Sequence, residues 1–298
     1  MPETIQKPHE FTPFIHLVYS TAEIPLPTPD RIREGLAAVD DRWDPSGIHL
    51  DFEQPDGLQV SGLAGFGDHH VQVSGLPAPL PSTVIDRTVH VSRWQPQFKA
   101  AIRQHRSTLS LVYLGDHPDP VEKMIALYGL ARSFQDENLL GLINEQAWTA
   151  HPPASYLAPA AITAFRQTFP FDVWVGYIRF FIDDDHFWLA TKGHHIFDVP
   201  DLAYLMSPAE DEGAIIQTMA NIFYYIYEDD GTVTAGDTLE IGEKGPRPTG
   251  GRPTDEHPTG ERPTSERPTG RLWRFGPVTE EEAPLIGPSG TLVIEKSG

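Results

Sequence analysis

Residues 173–191, VWVGYIRFFIDDDHFWLAT, hold two runs rich in aromatic and β-branched side chains, separated by Asp183, Asp184 and Asp185. Such runs favour strands, and three consecutive carboxylates favour an exposed turn. The stretch therefore predicts a β-hairpin, Val173 to Phe181 and His186 to Thr191, with an acidic tip. Downstream, Ser207-Pro208-Ala209-Glu210 has the form of a capping box with proline at the first helical position. A helix beginning at Pro208 follows, with Ile215, Ile216, Met219, Ile222, Phe223 and Ile226 on one face. Asp229-Asp230-Gly231 ends it, and Asp237 to Ile241 supplies another strand. Strands and helices mixed in this way, with hairpins among them, argue for α+β, with mixed or antiparallel sheets and packed helices, over a doubly wound parallel sheet.

The same pattern appears upstream. Phe14 to Tyr19 predicts a first strand, and Thr28-Pro29-Asp30 opens a helix carrying Ile32, Leu36 and Val39. Ile48 to Glu53 alternates as a half-buried strand. Gly57 to Leu63 and His70 to Leu76 predict a hairpin around a glycine-rich turn. Pro77-Ala78-Pro79-Leu80-Pro81 removes three backbone donors and excludes regular structure. A helix over Phe98 to His105 leads into a strand from Thr108 to Leu114. Asp119-Pro120-Val121-Glu122 then opens a helix with Val121, Met124, Ile125, Tyr128, Ala131 and Phe134 as its buried stripe. A strand over Leu139 to Ile143 and a short helix over Pro159 to Gln167 complete this half.

Residues 247–271 differ in kind. Five pentapeptides recur there, RPTGG, RPTDE, HPTGE, RPTSE and RPTGR. Proline at every fifth position blocks helix and sheet, and no copy offers an aliphatic side chain to bury. This pentapeptide repeat predicts an intrinsically disordered insert, a mobile spacer within a surface loop. Apolar character returns at Leu272-Trp273-Arg274-Phe275, and Gly290 to Glu295 predicts a final strand. The expected organisation is an N-terminal α+β half over 1–170, a C-terminal half over 171–246, the insert over 247–271 and a tail over 272–298.

Composition narrows the function classes. The 298 residues carry a formal charge of −20 and no cysteine, which excludes disulfides, thiolate metal sites and cysteine nucleophiles. From Asp172 to Glu243, fifteen acidic residues face only Arg179 and Lys192, a net charge of −13. Such a field repels nucleic acid and attracts basic partners, although solubility alone also explains it. Met1 to Lys7 lacks the layout of a secretory signal, and the longest apolar run, Val173 to Ile182, is too short for a bilayer. A cytoplasmic protein with no membrane association is expected.

Candidate chemistry is sparse. The glycines of Gly62-Leu63-Ala64-Gly65-Phe66-Gly67 precede a strand-like segment rather than a helix, so a phosphate cradle is disfavoured. There is no G-x-S-x-G or S-x-x-K motif. His186, His194, His195 and Asp198 are the residues from which a metal-assisted hydrolase could be built. Their spacing matches no metal signature, and adjacent histidines on a strand point to opposite faces. His69-His70 is a weaker pair of the same kind. The leading expectation is a non-catalytic, regulatory protein-binding protein without a cofactor, possessing an acidic surface for a basic partner. Asp183, Asp184, Asp185, Glu228, Asp229 and Asp230 are the candidate contacts.

The first strand, GLPAPLP (75–81), the block VWVGYIRFF…HFWLATKGHHIFDVPDLAYL (173–205) and GDTLEIGE (236–243) together resemble the bacterial family designated domain of unknown function 4261. The resemblance spans roughly residues 11–243 and the tail. The family's Gly…Phe…Pro-Glu pattern is met here with Asp201 after Pro200, and the repeat lies outside it. The resemblance implies no activity and assigns no functional residue. An immunity-like role in bacterial conflict or regulation is one form the expected partner binding could take.

Overall fold

A computed structural model describes residues 11–54, 59–228, 233–241, 271–279, 282, 286 and 291–296. The strands are β1 Phe14–Tyr19, β2 His49–Glu53, β3 Val60–Phe66, β4 His69–Leu76, β5 Ser107–Tyr113, β6 Leu139–Asn144, β7 Thr149–His151, β8 Gly176–Phe181, β9 Phe187–Lys192, β10 Asp201–Met206, β11 Thr238–Ile241, β12 Arg271–Pro277 and β13 Thr291–Lys296. The helices are α1 Pro29–Ala37, α2 Ser82–Ile85, α3 Pro96–Arg103, α4 Pro120–Ser133, α5 Pro153–Tyr156, α6 Pro159–Ala164, α7 Phe171–Trp174 and α8 Glu212–Glu228. The fold is α+β. The chain forms two compact units that interleave instead of dividing at one point. The first holds residues 1–166, 170–176 and 192–198, and the second holds 167–169, 177–191 and 199–298. Among the described residues no helix is long and apolar enough to cross a membrane.

The first unit is built on an antiparallel sheet ordered β2-β3-β4-β5-β1-β6-β7. Alternation along β1 sends Ile15, Leu17 and Tyr19 to one face and His16 and Val18 to the other. The helix α4 packs on α1 and on β1, β4 and β5, and from Val121 to Ala131 it is buried at nearly every turn. Its start is as expected: the Asp119 carboxylate accepts from the Val121 amide at 2.9 Å. The opposite face is covered by α2, the π-helical turn Asp86–His90 that continues it, and α3. There Val84, Ile85, Val89 and Ile102 bury Val18 and Ile143.

In the second unit the sheet order is β11-β12-β13-β10-β9-β8, and β10 and β13 run parallel. One face packs against α8 through Leu189, Leu202, Met206, Met219, Ile222, Trp273 and Phe275. The other covers Trp188, Ala190, Ala203 and Val293 with Ile286.

Several local expectations are corrected. Val173 and Trp174 belong to the short helix α7, so the first hairpin strand starts at Gly176. The glycines at 62 and 65 lie inside β3, and the turn is made at Gly67, where φ is +53°. The helix expected from Pro208 starts at Glu212, because Ser207 to Glu210 close a tight turn instead. Glu210 reaches back to the Ser207 amide at 3.1 Å, as in a capping box, but its own amide donates to the Ser207 carbonyl. Helix capping passes to Asp211, whose carboxylate accepts from the amides of Gly213 and Ala214 at 2.9 and 3.3 Å. Arg271, the last repeat residue, opens β12. The expectation of a disordered spacer over residues 247–270 lies outside the described residues.

Candidate functional site

The hairpin tip in the second unit is organised by one carboxylate. The Asp183 carboxylate accepts from the amides of Asp185 and His186 at 2.8 and 2.7 Å and contacts His186 Nδ1 at 3.3 Å. These bonds, led by the one from the Asp185 amide, hold its pKa below the ordinary aspartate range. Asp183 is thereby a structural element of the turn. Asp184 and Asp185 are exposed. Beside them, Phe181 is 70% exposed and Ile182 50% exposed, although both lie in the longest apolar run of the chain. β8 is the last strand of its sheet among the described residues. Its Arg179 pairs with Glu212 and sits over the Phe187 ring. Glu228 is exposed at the end of α8, whereas Asp229 and Asp230 lie outside the described residues.

The metal-candidate residues are distributed differently. His186 belongs to the second unit and is exposed in the hairpin turn, whereas Trp188 is buried. His194, His195 and Asp198 belong to the first unit. His194 and His195 occupy a 3-10 turn, His194–Phe197, not a strand, so strand alternation does not govern them. Left-handed residues bracket this turn, Gly193 at φ +112° and Asp198 at φ +59°. A Cβ at residue 193 would come within 2.4 Å of the Trp174 carbonyl oxygen, which requires glycine there. His194 is fully buried, the His195 ring packs 4.6 Å from Phe11, and Phe197 stacks on Trp174 at 5.5 Å. Among the described residues no group of three or more histidines and carboxylates is placed to hold a metal ion.

Two polar networks in the first unit escaped the sequence reading because their members are far apart in the chain. In one, Arg166 makes a two-pronged contact with Glu122 at 2.7 and 2.8 Å and reaches Asp40 at 2.6 Å. Arg42 also binds Asp40, at 2.6 Å. Burial alone would raise both carboxyls, but hydrogen bonds from the arginines hold Asp40 and Glu122 below the ordinary range. Close by, His69 Nδ1 lies 2.9 Å from the Tyr113 hydroxyl, and its ring stacks on His117 at 5.2 Å. Burial, and then the neighbouring His117, lower the His69 pKa to about 4. The charges in this network satisfy one another, which suits a strut tying the start of α4 to the loop after α1.

In the other network, His16 Nδ1 lies 2.8 Å from Ser110 Oγ, while Nε2 is 3.8 Å from Glu145. The Glu145 carboxyl is held below its ordinary range by His16 first and also by Arg87, which donates to it at 2.7 Å. A serine, a histidine and a carboxylate in this order resemble a nucleophile with its base. The geometry does not complete one. The Glu145 contact exceeds hydrogen-bonding distance. Ser110 also sits on a central strand paired on both sides, so its amide is committed to the ladder and cannot serve an oxyanion.

A scan against protein-family models finds no match to this chain, and the searches of curated proteins and of solved structures find none either.

Proposed function

We propose that this protein is a non-catalytic binding protein whose hairpin tip and adjoining β8 edge receive a basic, extended segment of a partner protein. The observation that carries this reading is the pairing of exposed apolar side chains, Phe181 and Ile182, with the exposed carboxylates Asp184 and Asp185. Large exposed apolar side chains rimmed by charge are the anatomy of an interface anchor. An edge strand presents main-chain donors and acceptors that an added strand can pair. The net charge of −13 over residues 172–243 favours lysine- and arginine-rich partners and opposes nucleic acid.

The test is a titration of the intact protein with a peptide of alternating lysine and valine, followed by backbone amide shifts. An alternating glutamate and valine peptide is the control. Saturable shifts confined to residues 176–187, seen with the basic peptide alone and weakened by Asp184→Asn/Asp185→Asn, support the proposal. No saturable shifts, or shifts mapping elsewhere, overturn it.

A further inference from the structure

A cleft in the first unit is lined by Arg31, Glu34 and Gly35 of α1, by Arg132 and Ser133 at the end of α4, and by Gln135 just beyond. Its two guanidiniums are positioned by main-chain carbonyls: Arg31 donates to the Gln135 oxygen, and Arg132 donates to the Gly35 oxygen at 3.4 Å. Among the described residues neither is in an ion pair, although acidic residues outnumber basic ones by 42 to 22. Elsewhere in this unit Arg33, Arg42, Arg87, Arg103 and Arg166 all have carboxylate partners. Arg31 and Arg132 each spend a single N–H on a carbonyl and keep the rest of the fork free.

The cleft contains a second anomaly. Ser133 is 3% exposed, and its hydroxyl has no hydrogen-bond partner. Buried hydroxyls are ordinarily satisfied, so an unpartnered one in the wall of a cleft calls for an acceptor. Gly35 makes room for it, since a Cβ at residue 35 would lie 2.5 Å from Ser133 Oγ. Two oriented guanidinium forks with N–H groups to spare, and an unpartnered hydroxyl in the wall, thus belong to one cleft.

We propose that this cleft binds a phosphate-type oxyanion, either inorganic phosphate or the phosphoryl group of a monoester. Guanidinium forks match the oxygen edges of such a group, and a donor set spread over three side chains suits its several oxygens better than a carboxylate's two. Glu34, exposed at the rim, opposes the anion and limits its affinity.

The experiment is a titration of the intact protein with inorganic phosphate, ionic strength being held constant with chloride, and read by amide shifts. The expected result is saturable shifts centred on residues 31–35 and 131–135. Arg31→Gln and Arg132→Gln should each weaken binding by roughly tenfold, the scale of one lost charge-assisted contact. Glu34→Gln should tighten it by removing the opposing charge. All three positions are at least partly solvent-accessible, and unchanged melting curves would confirm that the variants fold. A parallel titration with glycerol phosphate separates the two sources, the tighter ligand being the natural form. No saturation beyond that of the chloride control, or arginine variants that bind as the parent does, would overturn the proposal.

Discussion

His69 shows how a single side chain sets a property of the whole chain. It is 4% exposed, lies against Trp43, Phe66 and His117, and shares a hydrogen bond with Tyr113. Its pKa of about 4 means that the folded protein refuses a proton that the unfolded chain accepts near the ordinary histidine value of about 6.5. Unfolding therefore takes up a proton between these values, and stability declines as pH falls through that window, by at most about 3 kcal/mol from this residue. His151, fully buried beside the Tyr128 hydroxyl with a pKa of about 3, acts in the same direction. We predict that the urea midpoint falls steadily from pH 7 to pH 4, and that His69→Gln flattens this slope. A slope identical in the variant would show that His69 is not its source. None of this was legible from His69-His70 as a sequence pair, because the partners that define the site, Tyr113 and His117, lie more than forty residues away.

At the scale of elements, local chemistry wrote most of what the sequence revealed. Thr28 and Asp119 cap α1 and α4 with side-chain oxygens, and both helices carry proline in the first turn. The alternation in β4 appears directly as alternating burial. Where local chemistry offered two solutions, tertiary contacts decided. Glu210 is drawn to the Tyr204 hydroxyl at 2.9 Å and to Lys296 at 2.6 Å, which leaves Asp211 to cap α8. Asp211→Ala should then cost about 1 kcal/mol and Ser207→Ala less than about 0.5 kcal/mol, measured by urea denaturation. The reverse order would restore the earlier helix start. Phe223, fully buried, packs on Phe169 at 4.5 Å and on Tyr227 at 5.4 Å, so Phe223→Ala should cost about 3–5 kcal/mol. β10 escaped the sequence reading because Asp201 to Met206 shows no clean alternation, and a short apolar run of that kind does not distinguish strand from helix.

For the whole molecule, the α+β class was legible because hairpins and capped helices each carry a local signature. The interleaving of the two units was not, since it depends on where segments 167–176 and 192–198 pack. The candidate site was half legible. The acidic tip stands out by charge, but Phe181 and Ile182 end an apolar run, and only the structure shows them exposed. In the proposed reading their coexistence separates a docking surface from a solubilising one, because carboxylates alone would steer a partner without anchoring it. The most direct measurement is therefore kinetic: association and dissociation of the alternating lysine–valine peptide as salt shortens the Debye length from about 30 to 8 Å. We predict that association slows with salt and that Asp184→Asn/Asp185→Asn removes most of this dependence. Phe181→Ser should instead accelerate dissociation and leave the salt dependence intact. Rates unaltered by both sets of substitutions would contradict a binding role for the tip and leave its charge as a solubilising feature.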